Sequence, residues 1–392
     1  MKFSEMPYQR PDMEQIRTVA VQAEEALMHA ASPEDAFAAV ERFDHAMSKV
    51  STMSNLSYIR HSINTKDEFY SGENDYFDEQ SPLIEEMKQR VYRAILDCPQ
   101  RQAMEARYGS LLFRNLEIAA RSFRPELIPL MQEENKLTSA YEKLYASAMV
   151  EWNGEQIPLP MLGPYKESKD RDIRRAAFVK EGEFFDKNRE ELDMLYDKLV
   201  KVRNKQARLL GHKNYIQLGY DRLGRNCYGY NELKAFREQI AADMVPVISA
   251  VKQEQQKRIE TDSITIYDTN FMFQDGNAMP QGSAEDILAA GKDMYHGLSP
   301  ETAEFIDFMY DNQLFDVLSR DGKAPGGYCT ELPDYQAPFI FSNFNGTSGD
   351  VDVLTHEAGH AFAGYRAMRK GLLSLEVSPT IEACEVHSMS ME

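Results

Sequence analysis

Four cysteines in 392 residues, Cys98, Cys227, Cys329 and Cys384, form no C-x-x-C pair. That spacing excludes a disulfide framework and the thiolate zinc modules, and it reads as free thiols in a reducing, cytoplasmic setting. No apolar run nears the roughly 18 residues needed to span a bilayer, and Met1-Lys2-Phe3-Ser4-Glu5 lacks the apolar core of a signal peptide. No membrane partner is expected. Basic charge is scarce as well: 44 Lys and Arg stand against 63 Asp and Glu, a net charge of −19. The densest basic stretch, Lys252 to Arg258, is interrupted by Glu254, so phosphate backbones would be repelled and nucleic acid is not a partner. Trp152 is the single tryptophan and reads as a packing residue.

What is present is helix. Hydrophobic content of 43% and charged content of 27% suit a globular chain long enough for two cores. From 12 to 140, Asp12, Ser32-Pro33 and Ser81-Pro82 read as successive helix starts. Asn153-Gly154 between two short β-prone runs predicts a hairpin near 149–159. Gly163-Pro164 then marks a junction, giving an N-terminal helical lobe over 1–165 and a second lobe over 166–392. Further on, a long helix ends at Leu210-Gly211, another breaks near Pro246, 263–273 is strand or loop, and Ser283 and Ser299 cap two more.

Chemistry concentrates in His356-Glu357-Ala358-Gly359-His360. Two histidines four apart share one face of a helix, so both imidazoles reach one cation while Glu357 stands beside it as a general base, the H-E-x-x-H pattern of metallopeptidases. Thr347-Ser348-Gly349-Asp350 should cap that helix, and Arg369-Lys370-Gly371 should stop it. A catalytic zinc takes a third protein ligand. The metzincin continuation is excluded because Ala363 and Arg366 stand where Gly and His are required. A helix opened by Ser378-Pro379 offers Glu382 and Glu385, and spacing alone leaves both open.

Three stretches extend the pattern. Gly327-Tyr328-Cys329-Thr330, Ala337 to Phe344 with Gly346 to His360, and Glu385-Val386-His387-Ser388-Met389-Ser390-Met391-Glu392 together resemble the thimet oligopeptidase and oligoendopeptidase F family, most closely its bacterial oligoendopeptidase F and Pz-peptidase branch. The likeness covers about 144–392. It implies a mainly α, two-lobed zincin-like fold with a small β-sheet beside the zinc helix and a deep channel. It also implies one zinc per chain held by His356, His360 and Glu385, with Glu382 as the remaining option. The expected activity is hydrolysis of short unstructured peptides by a metal-activated water.

The run Pro338 to Phe344 reads as a strand just before the metal helix, and in the resembled family an edge strand there pairs with the substrate backbone. Phe339, Ile340, Phe341, Ser342, Asn343 and Gly346 are the expected substrate contacts. Asp352 and Glu392 are expected partners of the histidines. No stop signal follows Met389-Ser390-Met391-Glu392, whereas the resembled family continues with Tyr and His residues that contact substrate. The chain is therefore expected to be C-terminally truncated and feebly active alone. Two other readings remain: a structural zinc closed by His387 or Cys384, and a noncatalytic peptide-binding protein.

Overall fold

In the computed structural model, which describes residues 1–378 and 380–392, capping signals and apolar periodicity set most elements. Asp12 and Ser32 accept from the first free amides of α1 (Met13–Met28) and α2 (Pro33–Ile63), the second through a reciprocal box with Asp35. The chain continues through α3 (Glu68–Asp97), α4 (Arg101–Tyr108), α5 (Ser110–Arg121) and α6 (Ile128–Ala146). The inward faces of α1 to α5, with Leu27, Phe43, Val91 and Phe113, form one apolar core.

The helix start expected at Ser81-Pro82 does not occur, because α3 runs through it. Pro82 has no N–H, so the carbonyl of Asp78 loses its helical partner. Asn135 on α6 replaces it, its Nδ2 donating to Asp78 O at 2.9 Å and to Ser81 Oγ at 3.0 Å. The missing donor comes from a tertiary neighbour.

Asn153 (φ 54°) and Gly154 (φ 86°) turn the hairpin of β1 (Met149–Trp152) and β2 (Glu155–Pro158) as expected. After α7 (Gly163–Lys166) come α8 (Arg171–Lys187), α9 (Arg189–Leu209), which ends at Leu210 and Gly211, and α10 (Tyr215–Arg222). The break expected near Pro246 is absent. Instead α11 (Tyr230–Gln239) passes through a π turn, Ile240–Met244, into α12 (Val245–Arg258). The wider turn accommodates the proline ring without ending the helix. Residues 263–273 form a loop with one 3-10 turn, Ile266–Asp268. It is held by the buried Asp268, which accepts from Arg171, Arg174 and Thr265. Helices α13 (Ala284–Leu298) and α14 (Pro300–Asp311) start at Ser283 and Ser299.

A three-stranded sheet follows, in the order β3 (Phe315–Leu318), β5 (Ala337–Phe344), β4 (Tyr328–Leu332). β5 is parallel to β3 and antiparallel to β4. The register slips between Asp316 and Leu318, and the fully buried Lys323 fills the gap. Its ammonium donates to Asp316 Oδ1 at 2.7 Å, to Leu318 O at 2.8 Å and to the Ser342 carbonyl. Ladder bonds lost at the slip are thus replaced by side-chain ones.

The sheet lies on α15 (Gly349–Arg369), and α16 (Ser374–Val377) and α17 (Ile381–Met391) close the described chain. Phe339, Ile340 and Phe341 pack with Ala358, Ala361 and Tyr365 of α15, with Phe305 of α14, and with Leu56 and Ile59 of α2. The helix bearing the two histidines is therefore rooted in a core that draws on both ends of the chain. Among the described residues, no helix is long and apolar enough to cross a membrane.

Candidate metal centre

The chain enters α15 differently from the capping expected of Thr347 and Ser348. Ser348 occupies the cap position without a side-chain bond. Asp350, in the first turn, instead reaches back to accept from the amides of Asn345 (2.9 Å) and Gly346 (2.7 Å), where Gly346 has φ +90°. The expected stop holds, with Lys370 at the C-cap and Gly371 at φ +70°.

On α15 the rings of His356 and His360 lie with centroids 5.0 Å apart, half-buried on one face. The third group arrives on α17. Its start differs from expectation: Thr380 caps it, accepting from Ala383 N, and Ile381 is its first residue. Ser378 ends α16, and Pro379 lies outside the described residues.

Gly359 permits the approach of α17. A Cβ there would stand 2.6 Å from both His387 O and Ser388 Cα, so only glycine lets the two backbones meet. The fully buried Ser388 then donates from Oγ to Glu385 Oε2 at 3.1 Å. This fixes the rotamer of Glu385.

Glu385 Oε2 consequently lies 3.3 Å from His356 Nε2 and 3.7 Å from His360 Nε2. Ligands on zinc at about 2.0–2.1 Å in a tetrahedron are separated by about 3.3–3.4 Å. The donor set fits such an ion. Among the described residues, the convergent group is His356, His360 and Glu385. Neither His387 nor Cys384 joins it as a fourth ligand.

Around this group the expectations divide. His356 Nδ1 lies 3.2 Å from Glu392 Oε2, the carboxylate–imidazole arrangement that sets a ligand's tautomer. Asp352 is exposed and bonds to neither histidine among the described residues. Glu382 points elsewhere, its Oε1 2.7 Å from Arg225 Nε.

Glu357 is buried, 8% exposed, beside the Cys329 backbone of β4. Burial pushes its carboxyl up to about 7, against the pull of His356 and with a further push from Glu385. Burial also lowers His360, opposed by Glu385.

The strand expected to be an edge is not one. β5 is central, hydrogen-bonded on both sides, and Phe339, Ile340, Phe341 and Ser342 are buried. Asn343 Nδ2 is spent on the carbonyls of Ala324 and Gly326. A continuous run of buried residues on both faces is the mark of an interior strand. The edge beside α15 is β4, and Asn55 of α2 closes its far end by donating to Glu331 O at 2.7 Å. The roles of Gly359 and of the Cys329 backbone escaped the sequence reading, whereas Ser388, one turn after Glu385, is legible from spacing as sharing its helix face.

The sequence profile described as Peptidase family M3 matches residues 164–392, and that of the Peptidase M3 N-terminal domain matches 3–123. The chain belongs to peptidase family M3. It superposes on a structure of Pz peptidase A with an inhibitor at a TM-score of 0.98 and 44% identity, covering 100% of this chain and 69% of that one. A Bacillus anthracis protein described as an oligoendopeptidase F gives a TM-score of 0.96 at 43% identity, covering 100% and 72%. The Oligoendopeptidase F homolog of Mycoplasma genitalium is 23% identical over 253 residues, 62% of this chain. The chain spans 40% of the length of that curated relative.

Proposed function

We propose that this M3 chain carries the metal centre of a zinc-dependent endopeptidase for short unstructured peptides, with one zinc held by His356, His360 and Glu385. The supporting observation is the convergence of three donor groups within 4.8 Å of one another, with Glu385 Oε2 at 3.3 and 3.7 Å from the two Nε2 atoms, beside a buried carboxyl. A zinc ion bound there would acidify a water and polarise the scissile carbonyl.

The chain's own residues would do the rest. Glu357, whose raised affinity for a proton suits a general base near neutral pH, takes the proton of the attacking water and delivers it to the leaving amine. Glu392 holds the His356 ring through Nδ1. The free edge of β4 near Cys329, rather than β5, receives the substrate backbone, since Cys329 already faces Glu357 and Asn55 blocks the strand beyond it.

In this reading residues 1–165 form the N-terminal lobe and 166–392 the lobe with the chemistry. The setting is cytoplasmic, where the four free thiols persist.

The test is Glu357→Gln. Turnover of a quenched short peptide should fall by about 10²–10⁴-fold while bound zinc stays near one per chain. Loss of zinc in the variant, or undiminished turnover, would sink the assignment.

A further inference from the structure

The Leu223–Gly229 segment between α10 and α11 touches the helix that carries Glu385, although no part of it lies in the metal group. Arg225 Nε donates to Glu382 Oε1 at 2.7 Å. Gly224, at φ +65°, lies against the backbone of Thr380, the cap of α17. Among the described residues, Arg225–Glu382 is the only ion pair joining α17 to an element other than α15.

The segment is itself anchored. Asn226 Nδ2 donates to Asn115 Oδ1 of α5 at 2.7 Å. Arg121, on the same helix, makes a forked pair with Asp221 of α10 at 2.6 and 3.1 Å, and Asp221 is buried. Through the adjacent residues Asn226 and Arg225, one bonded to Asn115 and the other to Glu382, this segment thus links α5 to α17.

The mechanics follow from helix geometry. Near its C-terminal end α17 bears closely on α15 where Ser388 meets Gly359, and a displacement of its N-terminal end would turn about that contact. At 1.5 Å per residue, Glu385 lies about 4.5 Å along the helix from Ser388, and Glu382 about 9 Å. A swing of about 2 Å at Glu382 would carry Glu385 by about 1 Å, several times the roughly 0.2 Å tolerance of a metal–ligand distance. Ile381, Val386 and Met389 are exposed, so the apolar packing of this helix rests on Met391 and the half-buried Ala383 and Cys384.

We infer that Arg225 is a positioning residue: it clamps Glu382 and so holds Glu385 in register with His356 and His360, coupling the N-terminal helix α5 to the metal centre. The inference rests on the metal reading above for its consequence, but the clamp itself does not.

The experiment compares wild type, Arg225→Ala, Arg225→Lys, Glu382→Ala and the double alanine variant. Zinc affinity is read by competition with a chromogenic chelator, and amide hydrogen exchange is followed over 381–391 without metal. Arg225→Ala should weaken zinc at least 10-fold and speed exchange in α17 while the exchange of α1 to α3 stays unchanged. Arg225→Lys should recover part of both, and the double variant should be no worse than either single one. Wild-type exchange and affinity in Arg225→Ala, or losses that multiply in the double variant, would overturn the clamp. Faster α17 exchange in a protein that takes up no zinc even as wild type would leave the clamp standing and remove the metal reading.

Discussion

Gly359→Ala sets two effects of known sign against each other. In a helix interior, Ala is better than Gly by about 1 kcal/mol, so if α15 faced open space the variant would be more stable. Against that, the new methyl would stand 2.6 Å from His387 O and from Ser388 Cα, and 3.0 Å from His387 C. Carbon contacts prefer about 3.5–4.0 Å, so α17 must retreat by roughly 1 Å. These are backbone atoms, and no rotamer change relieves them. Overpacking of this kind costs about 1–3 kcal/mol, which cancels the propensity gain or exceeds it by up to about 2 kcal/mol.

The larger effect falls on the site. A retreat of about 1 Å at Ser388 draws Glu385, one turn away, from its 3.3 and 3.7 Å separations to His356 and His360. Zinc affinity should fall by at least the 10–100-fold typical of lost ligand support. Chelator competition and a denaturant midpoint measured on the same sample decide the matter. A variant about 1 kcal/mol more stable with unchanged zinc affinity would refute the packing of α17 on α15 described above.

Asp268→Asn leaves Arg174, 3% exposed, facing a neutral partner and should cost about 3–5 kcal/mol of stability, read as a lower denaturant midpoint. Wild-type stability also depends on this group at low pH. Burial would raise the carboxyl, but bonds from Arg171, Thr265 and Arg174 hold it well below the ordinary carboxylate range. The unfolded chain therefore binds the proton first as pH falls, so this contribution is complete above about pH 5 and is lost progressively below about pH 4. The Asn variant should show a shallower acid limb between pH 5 and 2, and an unchanged slope would count against the assignment. Asn135→Leu removes the donor that compensates Pro82 and should cost about 1–3 kcal/mol, with faster amide exchange localised to the middle of α3. Uniform exchange across α3 in both proteins would show that the Asp78 carbonyl needs no such partner.

Much of this molecule is legible locally because its signals act within a few residues. A Ser or Asp before an apolar periodic run, an Asn-Gly turn, and Lys370-Gly371 after the last turn of α15 act through bonds the segment makes with itself. His356, Glu357 and His360 belong to the same class, since four residues along a helix is one turn and needs no distant partner.

The errors share one cause. Ser81-Pro82 and Pro246 read as breaks because proline's missing amide is visible in sequence, while Asn135 and the π turn that compensate it are not. β5 reads as an edge because a strand's place in a sheet depends on what pairs with it, and β3 and β4 are remote choices of the fold. Glu382 and Glu385 are alike in the chain and were separated by resemblance rather than by spacing. In the structure, the contact of Gly359 with Ser388 turns one toward the histidines, while Arg225 takes the other. By itself the sequence determined most of the helices, the caps at Asp12, Ser32, Ser283 and Ser299, and the two-histidine face, because those depend on short-range backbone bonding. Only tertiary packing decided which carboxylate faces the two histidines and which strand edge stays open, because both depend on how closely two remote backbones approach.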